Sequence, residues 1–170
     1  LDAIHTIHDG SEPHIVTELV GAVRALEREL RRSCVVIAES EHADPDLVQP
    51  PPRGHGLDAV WFDDWHHALH ARLTGERSGY YAEFGTVADV ALAMTGRQPP
   101  GAFVIAAQNH DQIGNRARGD RLTELTSPGG LRVAAALVAL SPSLPLFFQG
   151  EEWAATEPFL YFVSHGDPAL

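Results

Sequence analysis

Apolar residues recur at helical spacing through Ile15, Leu19, Val23, Leu26 and Leu30, which predicts an amphipathic helix over 13–32 with Ser11 and Pro13 as its cap and first-turn pair. The period then changes. Residues 34–38 form a nearly continuous β-rich apolar run, the pattern of a parallel strand covered on both faces, and the run stops at Glu39. A loop rich in proline and glycine leads to a second strand over 57–62, which ends on Asp63 and Asp64. Helices are predicted at 65–73 and 86–95, followed by a break at Pro99-Pro100-Gly101 and a third strand over 102–107 that runs into Gln108-Asn109-His110-Asp111. Beyond a polar loop, 131–140 reads as a buried helix ended by Ser141-Pro142, and 144–148 as a fourth strand leading into Gly150-Glu151-Glu152.

Helix and strand alternate throughout, which implies βαβ units around a parallel sheet. Every predicted strand delivers polar or acidic residues at its C-terminal end, the edge that builds the active site of a (β/α)₈ barrel. The chain shows no internal repeat, no low-complexity tract and no dividing linker, so 1–170 is expected to be one partial domain. It opens with no initiator Met and nothing resembling a signal peptide, as if it began mid-protein. No membrane segment is expected, because the most apolar stretch, 133–140, is far short of the roughly 20 residues a spanning helix needs.

Composition narrows the partners. A net charge of −11 with only 12 Lys+Arg argues against nucleic acid, whose phosphates call for clustered cations. The single cysteine, Cys34, has no internal disulfide partner and is expected as a small buried side chain, in keeping with a reducing, cytoplasmic compartment. Glu27, Arg28, Glu29, Arg31 and Arg32 read as a solvated helix face. Gly75, Gly79 and Gly85 lack the lysine and spacing of a phosphate-binding loop.

The chemistry lies in the carboxylates. Two of them facing each other across a cleft can divide glycoside hydrolysis between a nucleophile and a general acid. Leu1-Asp2-Ala3 looks like the tail of a strand, Glu39 ends the next, and Asn109-His110-Asp111 ends a later one. In order and approximate spacing these segments resemble the nucleophile, general-acid and transition-state-stabiliser segments of the α-amylase superfamily. Their surroundings are more specific. Asp2 to Asp9, Asp63-Asp64-Trp65-His66-His67-Ala68-Leu69-His70, Leu73 to Arg77 with Gly79-Tyr80-Tyr81, Gln108 to Ala117, Gln149 to Ala154 and Pro158 to Phe162 are similar to the maltooligosyltrehalose trehalohydrolase family.

That resemblance implies an α/β fold, the second half (about strands 4 to 8) of a TIM-type (β/α)₈ barrel. It implies Asp2 as nucleophile, Glu39 as acid/base, and Asp111 as the carboxylate that grips sugar hydroxyls in the transition state. His5, Asp63, Asp64, Trp65, His66, His67, Asn109, His110, Gln112 and Gly114 would contact the substrate. The implied reaction retains configuration: it cuts the α-1,4 bond next to the trehalose end of a maltooligosyltrehalose, releasing trehalose, with no cofactor and no metal. The superfamily's arginine two residues before the nucleophile has no counterpart here, where only Leu1 precedes Asp2.

Other readings stand beside it. A branching or debranching enzyme of the same superfamily would use the same three carboxylates, and a carbohydrate-binding fragment would use none. His66 and His70, at i,i+4 with Asp63, have the spacing of a metal site but lack the intervening glutamate of a zincin. Trp65 and Trp153 are expected as sugar platforms and Trp61 as core.

Overall fold

The computed structural model describes residues 1–40, 44–95 and 102–161. The expected Pro99-Pro100-Gly101 break, and Phe162 of the last motif, lie outside them. Four parallel strands form one sheet in the order β1-β2-β3-β4: Ile37–Ala38, Ala59–Trp61, Phe103–Ala106 and Leu144–Leu146. Register is set by the pairs Ala38 with Val60, Trp61 with Val104, and Ile105 with Pro145. A further extended segment docks on β1. The Leu1 amino group donates to Ile37 O at 2.7 Å and the Glu39 N–H donates to Leu1 O at 2.7 Å, the bond pair of a parallel bridge.

β1 is shorter than its apolar run because the Cys34 and Val36 N–H groups bond to side chains, although Val36 O still accepts from Asp58 N–H at 2.9 Å. Cys34 N–H donates to Glu27 and Val36 N–H to Asp58, while Arg24 holds both Cys34 O and Asp58. Cys34 is therefore only half-buried and Val35 is 71% exposed, against the expectation of a covered strand.

The first helix, α1, runs Ile15–Leu30 and starts later than the Ser11-Pro13 pair suggested. Asp9 explains the shift. Its carboxylate accepts from Ser11 N–H and Oγ and from Ile15 N–H, so it binds Ser11 in a turn and takes the first helical N–H, while His14 is the N-cap with its Nδ1 accepting from Val16 N–H. These bonds hold the Asp9 carboxyl at about 2. The helix has two apolar sides. Val16 and Val20 bury against Ile4, Val36, Ala38 and Leu57, whereas Ile15, Leu19, Leu26 and Leu30 of the predicted stripe stay exposed.

The main core lies on the other part of the sheet. α2 (Asp63–Thr74) turns Trp65 and Leu69 onto Val60, Phe103 and Ile105, which also meet Ala134 and Val138 from the last helix. Each large side chain buried there contributes about 1.5–3 kcal/mol. α3 (Val87–Thr95) flanks α2. Two short helices, α4 (His110–Gly114) and α5 (Leu122–Leu125), occupy what the pattern reads as polar loop. α6 runs Pro128–Leu140, opened by Ser127 accepting from Gly130 N–H with Pro128 in the first turn. Among the described residues no helix is long and apolar enough to cross a membrane.

Candidate active site at the C-terminal strand edge

The acids converge because parallel strands all point the same way. Glu39 follows β1, Asp63 and Asp64 follow β2, and Asp111 follows β3 within α4. Asp2 follows the segment beside β1 and is exposed. Immediately after it the backbone enters the left-handed region at Ala3 (φ 45°), a conformation that costs a residue with a Cβ about 1 kcal/mol or more. That turn aims the Ala3 N–H at Glu39, whose Oε2 accepts it at 2.6 Å, so the Glu39 carboxylate is anchored one residue from Asp2.

Asp63 is the carboxyl most affected by this crowding. Burial first, then the charges of Glu39, Asp111 and Asp64, push it up to about 6. The four strand-end carboxylates Glu39, Asp63, Asp64 and Asp111 therefore share one electrostatic environment. Asp111 accepts from Tyr161 Oη at 2.7 Å and lies 3.5 Å from His110 Nε2. His110 is edge-on to both Trp61 and Tyr161. Gly114 supports the same group, since a Cβ there would come within 2.6 Å of the Tyr161 ring.

Several expected contacts are structural. Trp65 is 1% exposed in the main core and cannot be a platform, because the helical phase of α2 turns it away from the strand edge. His66 is 2% exposed, with Nδ1 on Ala107 O and Nε2 on Tyr81 Oη, so it fixes neighbouring elements and does not meet a ligand. Burial pushes it well below an ordinary imidazole value. Asn109 and Gln112 are committed to a capping box: Asn109 Oδ1 accepts from the Asp111 and Gln112 N–H groups, and Gln112 Oε1 accepts from Asn109 N–H. His67 stacks on Tyr80 and touches Tyr81 and Phe84. His5 and Asp64 are exposed at the same edge as Glu39 and Asp63. Trp153 is 71% exposed on the turn after β4. Trp61, expected in the core, is half-buried beside His110 on the opposite strand face from Val60.

The metal spacing of His66 and His70 is taken up by protein. His70 Nε2 pairs with Glu76 at 2.6 Å, and both His66 nitrogens are bonded. Among the described residues no group of three or more His, Cys, Asp or Glu is placed to hold a metal ion.

Glu151 ends the β4 side of the edge. Burial pushes its carboxyl up to about 7 although Gln108 and the Phe148 N–H lie against it. A folded value above the ordinary 4.5 stabilises the fold fully below about 4.5, and this contribution is lost as pH rises through about 7. Glu151→Gln is therefore expected to raise stability at pH 8 by on the order of 2 kcal/mol and to leave it unchanged at pH 4, read from unfolding midpoints at the two pH values. An unchanged pH slope in the variant would rule out this effect.

Relatives can be set against this geometry. No protein-family model matches the chain. A malto-oligosyltrehalose trehalohydrolase of Saccharolobus solfataricus is 40% identical over 192 residues, taking in 100% of this chain and 33% of the relative. Its namesake from Arthrobacter ramosus is 42% identical over 193 residues, again 100% of this chain and 34% of the relative. The chain thus spans about a third of the length of the curated relatives it matches. A solved structure, a putative alpha amylase from Salmonella typhimurium, superimposes with TM-score 0.78 at 36% identity over 98% of this chain and 32% of that one. A maltogenic alpha-amylase from Thermotoga neapolitana gives TM-score 0.59 at 19% identity over 93% of this chain and 31% of that one, a likeness of fold alone. From end to end, the chain is similar to a stretch of the malto-oligosyltrehalose trehalohydrolases, about a third of their length, and it is folded as part of an α-amylase-type (β/α) barrel.

Proposed function

We propose that 1–170 is part of the catalytic barrel of a retaining glycoside hydrolase that cuts the α-1,4 bond beside the trehalose end of a maltooligosyltrehalose, releasing trehalose in the cytoplasm. The observation that carries this reading is the gathering of acids from successive parallel strands at one edge, in a chain 40% identical to enzymes bearing that name. Asp2 attacks the anomeric carbon while Glu39 gives its proton to the leaving oxygen, and Glu39 then takes a proton from the water that releases the sugar. Asp111, steadied by Tyr161, accepts hydroxyl hydrogen bonds that strengthen as the ring approaches the oxocarbenium-like state. The chemistry needs only carboxylates and water.

Product analysis tests it. The full-length protein carrying this sequence, given maltooligosyltrehalose, should release trehalose, which has no reducing end. Transfer of the cleaved chain to a second glucan would favour a branching activity instead, and the absence of any turnover would leave a carbohydrate-binding role.

A further inference from the structure

A partly buried polar network lies behind the strand edge, away from the carboxylates assigned above. Glu76 takes a two-pronged grip from Arg116, with Nη1 on Oε2 at 3.0 Å and Nη2 on Oε1 at 2.7 Å, and its Oε2 also meets His70 Nε2 at 2.6 Å. Arg116 first of all, and His70 with it, hold the Glu76 carboxyl at about 2, so it stays charged across ordinary pH. Arg116 belongs to the turn that closes α4, where its N–H donates to Ile113 O. α4 is a helix of five residues, too short to be stable on its own and held in place by what surrounds it, the buried Ile113 included. On the other side, His70 belongs to α2, the helix that begins at Asp63, and its ring stacks on Tyr81 at 4.1 Å. Tyr81 Oη in turn bonds His66, whose Nδ1 holds Ala107 O at the foot of the segment leading to Asp111. Asp111 is thereby tied to α2 on both sides, before α4 through His66 and after it through Arg116.

We infer that Glu76 is a positioning residue for the reaction: through its forked bond to Arg116 it sets where α4 presents Asp111 relative to Asp63. The inference rests on the glucan-hydrolysing reading, in which Asp111 grips the sugar. Geometry explains why such a clamp is worth having. A carboxylate that acts only in the transition state loses its effect steeply with displacement, and a shift of about 1 Å can cost on the order of a hundredfold. Arg116 is well suited to the task, because a planar fork fixes direction where an ammonium group fixes only distance.

A double-mutant cycle in the full-length protein tests the assignment. Glu76→Gln is expected to lower kcat by about ten- to a hundredfold with KM changed less than about threefold. Asp111→Asn is expected to lower it by about 10²–10³-fold. In the Asp111→Asn background, Glu76→Gln should cost less than about threefold more, since the residue it positions no longer works. The loss of melting temperature caused by Glu76→Gln should be the same in both backgrounds, which separates the structural share from the catalytic one. Rate losses that multiply would overturn the positioning role and leave Glu76 as a stabilising residue only. An Asp111→Asn variant with undiminished kcat would overturn the role given to Asp111 and the positioning role with it, whereas a wild-type full-length protein that releases no trehalose from maltooligosyltrehalose would overturn the glucan-hydrolysing reading itself, a different result from the first. If Glu76→Gln does not yield folded protein, Arg116→Lys, which keeps the charge and breaks the fork, takes its place in the cycle with the same expectations.

Discussion

Asp2→Asn is expected to abolish formation of the covalent glucosyl-enzyme, with a loss on the order of 10³-fold or more on natural and activated substrates alike. The amide keeps the shape of the carboxylate and removes the charge that, in the proposed mechanism, attacks the anomeric carbon. The local fold should survive, because what shapes this segment is backbone: the Leu1 bridge to β1 on one side and the Ala3 N–H on Glu39 on the other. The measurement is intact-protein mass after mixing with an activated glucosyl donor whose deglycosylation is slow. Wild type should gain the mass of one glucosyl unit and the variant should not. A variant that still forms the adduct within tenfold of the wild-type rate would move the nucleophile elsewhere on the edge.

Glu39→Gln should behave differently, and the contrast identifies the acid. General-acid assistance is worth about 10²–10⁴-fold, so a loss of on the order of a hundredfold or more is expected on the natural glucan, whose leaving oxygen needs a proton. An activated aryl glycoside, which departs without help, should lose much less in its first step. The substituted amide oxygen can still accept from the Ala3 N–H, so the bond that anchors the group is retained. Pre-steady-state glycosylation rates on the two substrates decide the matter, and equal losses would reduce Glu39 to a binding role.

The parallel architecture was legible in the chain because the strands carry continuous apolar runs and end on acids. The placing of Glu39, Asp63 and Asp111 at one end follows from that pattern, whereas the consecutive order of the four strands was implied only by the resemblance to a barrel family. What the pattern hid was set by side chains that bond to backbone. Asp9 bonding Ile15 N–H and His14 capping Val16 set the start of α1, and Glu27 and Asp58 take the Cys34 and Val36 N–H groups that would have extended β1. The place of Trp65 was not legible from its spacing, since a residue two places after an acid at a helix start can face either the edge or the core, and only packing against Leu69 and Val60 decides. Tyr161 lay within the Pro158 to Phe162 motif and Trp61 within the second apolar run, but neither position announced its partner. One reaches Asp111 across 50 residues of sequence, and the other owes its role to which strand face lies opposite the helices. Glu76 and Arg116 lay within motifs already singled out, but 40 residues separate the partners, and nothing in either motif announces the pairing.

The clustering of Glu39, Asp63, Asp64 and Asp111 also shapes how molecules arrive. In a chain of net charge −11, with Arg116 already spent on Glu76, this edge presents a standing negative potential to solvent. A neutral glucan feels no pull from it and must find the cleft by unassisted diffusion, at a rate indifferent to salt. A sugar analogue bearing a protonated amine is drawn in from a distance, and that attraction should fade as the Debye length contracts from about 30 Å to about 3 Å between 0.01 and 1 M salt. Stopped-flow association rates for the two ligands should accordingly diverge at low ionic strength and converge at high.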